Sequence, residues 1–208
     1  MTSFWRYLGG TIIKPRSTFR TLQDDPKQIS KGFKAILLIS VLYTITVALL
    51  AAGGALIMAP AFINLSPENY YFWEIFFAMP VTILGWILAA GFARILSKGA
   101  KGSGTYEGTL AAFGFAVAVP MFVTWIMETV FAIVLLLGTK QEEFMALSAQ
   151  PGFWQYFVFA YQAVAVLWML VLVMIGVGVS QKLRWWKAAI IGLLTTILFM
   201  VIMIIFIR

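Results

Sequence analysis

The chain has 208 residues, 62% of them hydrophobic and 11% charged, with a net charge of +7 and a mean hydropathy of +0.95. Soluble domains are roughly half apolar, so this composition excludes an ordinary soluble fold. There is no Cys and no His, which excludes disulfide and thiol chemistry and removes the commonest metal ligand and general base.

The chain opens on a polar, basic lead-in, expected over residues 1–30. Phe4, Leu8 and Ile12 recur at helical spacing, flanked by Trp5 and Tyr7, with Arg6 and Lys14 as polar partners. Pro15 can begin a second short helix carrying Arg16, Phe19, Arg20 and Leu22. Asp24-Asp25-Pro26 reads as a stop and a new start, with Asp25 as N-cap and Pro26 at the first helical position. No continuous apolar core precedes Ser30, so the first span is expected to act as the insertion signal. Apolar groups ringed by cations suit a helix in the headgroup plane, and equally suit packing against the end of a bundle.

Five apolar stretches of about 20 residues or more follow, and each is long enough to cross a bilayer as a helix. They are expected at about residues 33–58, 72–96, 109–137, 153–179 and 188–207. The predicted fold is therefore all-α: a five-helix transmembrane domain over residues 31–208, preceded by the amphipathic lead-in. Arg6, Lys14, Arg16, Arg20, Lys27, Lys31 and Lys34 precede the first span. Arg94, Lys98 and Lys101 follow the second, and Lys182, Arg184 and Lys187 follow the fourth. Only Lys140 and Arg208 fall on the opposite side, together with Glu68, Glu74, Glu142 and Glu143. The positive-inside rule then predicts a cytoplasmic N-terminus and an outside C-terminus. Cations beside apolar spans point to anionic headgroups as partners rather than to nucleic acid.

Within the spans Glu128 calls for a reason, because a charge at the bilayer centre costs about 2.5–3.5 kcal/mol on insertion scales. Two readings stand: an interhelical hydrogen bond to Thr124, Gln155 or Gln162, or a proton or cation relay. Glu74 and Arg94, nearer the span ends, are expected to snorkel towards headgroups. Pro80 and Pro120 are mid-span residues that tend to kink a helix. Small residues at four-residue spacing, Gly85-Ala89-Ala93 and Gly108-Ala112-Ala116, are expected to form close-packing faces, within the bundle or against a second copy or another membrane protein. The glycine-rich loop from Ser97 to Gly104 lacks the spacing of a phosphate cradle and reads as a basic hairpin. Asn64-Leu65-Ser66 fits a glycosylation sequon, which Pro67 weakens. No nucleophile–base pair or metal-ligand spacing stands out, so neither enzymatic activity nor a cofactor is expected.

The order of features resembles the Yip1 domain family. The resemblance rests on Pro15-x-x-x-Phe19-x-x-Leu22 ahead of the first span, on Gly114-Phe115 with Pro120 in the third, and on the turn Lys182-Leu183-Arg184-Trp185-Trp186-Lys187 before the last. It implies five spans with a cytosolic N-terminus. Eukaryotic members are associated with trafficking and Rab-class small GTPases, but this chain lacks their longer cytosolic region and Asp-Leu-Tyr-Gly-Pro stretch. The shorter form is similar to prokaryotic members, which implies a cytoplasmic membrane. The expected role is non-enzymatic, binding partner proteins or organising lipid, with a small transporter or channel around Glu128 as the alternative.

Overall fold

A computed structural model describes residues 3–57 and 62–207. Two short helices, α1 (Phe4–Ile13) and α2 (Pro15–Gln23), lead into α3 (Gln28–Ala52). A short 3₁₀ turn (Pro67–Asn69) then precedes α4 (Tyr70–Gly99) and α5 (Tyr106–Leu136). The chain continues with α6 (Gln141–Ala149), α7 (Phe153–Ser180) and α8 (Trp185–Phe206). Helices α3, α4, α5, α7 and α8 are long and apolar enough to span a membrane.

Four spans fall close to their expected places, and the first departs. It ends at Ala52, because Gly53 closes the helix and Gly54 takes a left-handed φ of 68° that an L side chain rarely adopts. Its expected end, Met58, lies outside the described residues. It also begins at Gln28 with Lys27 as cap, rather than at Pro26. The Asp25 carboxylate accepts the Lys27 N–H at 2.9 Å, and the Asp25 carbonyl accepts the Gln28 N–H at 3.0 Å. Asp25 and Pro26 therefore form a turn, and the helix starts after it. Helix α6 was not expected; Glu142 and Glu143, between the expected third and fourth spans, lie in its first turn, where acidic groups favour the helix dipole.

Helix α5 is the axis of the bundle. Every residue from Gly108 to Pro120 is buried, surrounded by α3, α4 and α7 and capped by α1 and α2. Lipid tails are as apolar as leucine, so the helices gain most from close backbone approach at small residues. A Cβ added at Gly114 would sit 2.4 Å from the Gly32 carbonyl oxygen, and one at Gly32 would sit 2.7 Å from Ala111 Cα. Ala112 packs against Gly176, Gly85 against Phe199, and Gly192 against Met174. The expected small-residue faces are thus used inside one chain. Pro80 and Pro120 both lie inside continuous helices, Pro80 on the exposed side of α4 and Pro120 buried in α5.

Polar side chains of the spans find partners along the seams. The Trp86 indole N–H donates to the Leu110 carbonyl at 2.9 Å, the Trp125 N–H to the Leu42 carbonyl at 3.1 Å, and the Thr46 and Thr129 hydroxyls meet at 2.6 Å. Each bond crosses between helices, so each ties a seam as well as satisfying a buried or partly buried group.

Candidate functional site

The basic end of the molecule gathers the lead-in, the 100–105 loop and the 181–184 loop. The buried stripe of the lead-in is not Phe4-Leu8-Ile12. Tyr7 and Thr11 of α1 and Phe19 and Leu22 of α2 are buried, with Phe4 and Leu8 beside them, while Ile12 faces outward. Phe115 of α5 receives Phe4 and Tyr7, with ring centroids 5.8 and 6.0 Å away. Gln23 donates to the Gly108 carbonyl at 3.0 Å. The lead-in therefore shares the core of the bundle.

A buried ionic latch fixes that docking. Lys31 of α3 pairs with Asp25, and Tyr7 donates to the same carboxylate at 2.9 Å. The Lys31 ammonium also sits 4.8 Å from the centre of the Tyr7 ring. Burial pushes the Asp25 carboxyl up, but Lys31, the Lys27 N–H and the Tyr7 hydroxyl outweigh it and hold it below the ordinary carboxylate value.

Gln181 is a second tie that the sequence did not suggest. It accepts from Arg94 at 2.7 Å, donates to the Thr105 carbonyl at 2.9 Å and also bonds the Thr109 hydroxyl. Arg94, expected to reach headgroups, is thus engaged inside the protein. Lys187 donates to the Ala100 carbonyl at 2.9 Å, so the basic turn after α7 is bound to the loop after α4. Two residues past the ends of α4 and α7 stand lysines of left-handed backbone, Lys101 with φ 67° and Lys182 with φ 54°.

What remains outward is amphipathic. Trp5, Ile12 and Ile13 are 68%, 52% and 76% exposed, a level that puts these large apolar groups outside the core. Arg6, Lys14, Arg16 and Arg20 are exposed beside them and form no ion pair with any described residue. Two clefts open at this end. One of about 970 Å³ lies between α2, the loop before α5, and α7 with α8; the other, of about 610 Å³, lies between α1 and α2 beside Arg6 and Lys14.

The opposite end is different. Glu74 is fully buried and does not snorkel; Tyr43 donates to its carboxylate at 3.4 Å. Glu128 is half-buried, within electrostatic reach of Tyr43, Tyr71 and Tyr161, and makes no hydrogen bond or ion pair with any described residue. The structure does not join it to Thr124, Gln155 or Gln162. The Thr124 hydroxyl bonds the Met121 carbonyl, Gln155 is half-buried and Gln162 is exposed beside Tyr161. Neither cleft at the basic end is lined by these residues.

Five apolar helices around a small-residue core, with an amphipathic lead-in docked on one end, define a polytopic integral membrane protein. The Yip1 domain model matches residues 9–207, and the chain belongs to that family. No curated protein and no solved structure matches it. The residues that carried the resemblance are seams of the fold: Phe19 and Leu22 in the core, Gly114 on Gly32, Phe115 under the lead-in, and Lys187 across to Ala100.

Proposed function

We propose that the protein works without catalysis, as an integral membrane organiser whose lead-in lies along the cytoplasmic leaflet and gathers anionic lipid. The observation that carries this reading is the two-sidedness of the lead-in. One face is locked into the bundle by Tyr7, Phe19 and Leu22, while the other presents Trp5, Ile12 and Ile13 beside Arg6, Lys14, Arg16 and Arg20, which form no ion pair among the described residues. A rigidly held helix that exposes aliphatic and aromatic groups beside free cations matches the headgroup layer of an anionic membrane. The excess of cations at this end supports a cytoplasmic orientation. A docked lead-in also holds its cations in fixed register, so lipid attraction does not first have to order a loose segment.

Spin-labelled phosphatidylglycerol and phosphatidylcholine compared around the full-length protein in vesicles test the reading. The expected result is a several-fold preference for phosphatidylglycerol that falls with salt and in Arg6→Gln/Lys14→Gln. Equal immobilisation of the two lipids by the wild-type protein would contradict it. A proton or cation flux through the reconstituted protein, abolished by Glu128→Gln, would favour transport instead.

A further inference from the structure

We infer that the larger cleft at the basic end seats one anionic phospholipid, with its phosphate between Arg16, Arg20 and Lys182 and an acyl chain along α7. The inference deepens the leaflet reading by giving it a discrete site. The cleft, of about 970 Å³, is at the upper end of the roughly 300–1,000 Å³ usual for small-molecule sites. Its lining changes character along α7. Ser180 and Lys182 stand at the basic rim, with Arg16 and Arg20 across from them, while Ile175 and the exposed Val171 continue the wall as apolar surface. At 1.5 Å per residue, Val171 lies about 14 Å along the helix from Ser180, roughly half the thickness of a hydrocarbon core. A polar mouth at the headgroup level above an apolar wall of that depth is the profile of a phospholipid rather than of a soluble anion.

The charges ask for an anion. Arg16 and Arg20 lie one helical turn apart and repel each other. Neither they nor Lys182 pair with an acid among the described residues, and Asp24 is the single carboxylate of the lining. Lys182 stands where a helix end favours glycine, at φ 54°. A lysine kept in that backbone puts a cation at the cleft at the expense of local stability. Gln28 lines the same cleft, and its buried carboxamide oxygen has no hydrogen-bond partner among the described residues. These features favour an anionic glycerophospholipid, because a choline headgroup would set its own cation against three others.

Native mass spectrometry of the full-length protein, released from micelles doped with phosphatidylglycerol or phosphatidylcholine, counts the lipid retained. One phosphatidylglycerol is expected per chain, with phosphatidylcholine retained at least tenfold less. Lys182→Gly should lose phosphatidylglycerol about tenfold while unfolding no earlier than the wild type, whereas Lys101→Gly, with the same backbone but no place in the cleft, should keep it. Ala189→Trp, which fills the cleft and leaves every charge in place, should also lose the lipid. Millimolar inorganic phosphate should not displace it. Equal retention of both lipids, displacement by phosphate, or full retention in Ala189→Trp would each overturn the seat. Arg6→Gln/Lys14→Gln should leave this count unchanged even if it abolishes the wider leaflet preference, so the two readings fail separately.

Discussion

Asp25 and Lys31 are buried together at the junction between lead-in and bundle, so losing one strands the other. Breaking a buried pair costs about 3–5 kcal/mol, whereas replacing both partners by apolar groups is often near neutral. Asp25→Asn should therefore destabilise the protein far more than Asp25→Asn with Lys31→Met, measured by thermal unfolding in detergent. The folded Asp25 carboxyl is held below its ordinary value of 3.8, so it binds its proton less readily than in the unfolded chain. Its contribution is complete above that ordinary value and declines as pH falls through the lower folded value; Asp25→Asn should flatten this acid limb. At the other end the two membrane carboxylates differ. Glu74→Leu leaves the buried Tyr43 hydroxyl without its acceptor and should cost about 1–3 kcal/mol. Glu128→Gln disturbs no bond to a described residue and should leave the unfolding temperature unchanged; a large loss would mean that Glu128 is structural. The sequence marked Glu128 by its depth but read Glu74 as an interfacial anchor, because depth along a helix does not say which face is buried. Gln181 was missed for a related reason: a loop glutamine has no periodicity to betray it.

The helices themselves were legible because lipid demands long apolar runs, and the ends were legible only where glycine or charge marked them. The Asp25-Pro26 turn shifted one end, and the nine-residue α6 was hidden in a loop too short and mixed for a clear pattern. Packing directions were partly legible. Gly108-Ala112-Ala116 announced a close-approach face on α5, but the backbone-to-backbone crossing of Gly114 on Gly32 pairs residues of two helices that no single-helix pattern can match. Gly114→Ala should cost about 1–3 kcal/mol or more, since the added methyl meets backbone that cannot move aside. Gly9 lies within α1 with open space around its Cβ position. There Gly→Ala should stabilise by about 0.5–1 kcal/mol. Thermal unfolding of the two variants beside wild type separates a packing glycine from an idle one.

At the scale of the whole molecule, the charge asymmetry across five spans organises everything else: the lead-in, the 100–105 and 181–184 loops and the clefts share one end. The chain contains no cysteine, so single cysteines can be placed as probes without a background. In intact cells an impermeant thiol reagent should label Glu68→Cys and Thr139→Cys, and should reach Lys98→Cys and Arg184→Cys only after lysis. The reverse pattern would invert the molecule. The measurement closest to the central claim is the depth of a nitroxide at Ile13→Cys, on the outward face of the lead-in, in the full-length protein. In phosphatidylglycerol vesicles the label should sit in the headgroup layer, shielded from a water-soluble relaxation agent, and high salt or phosphatidylcholine should return it towards water. A label equally exposed to water in both lipids would contradict the account.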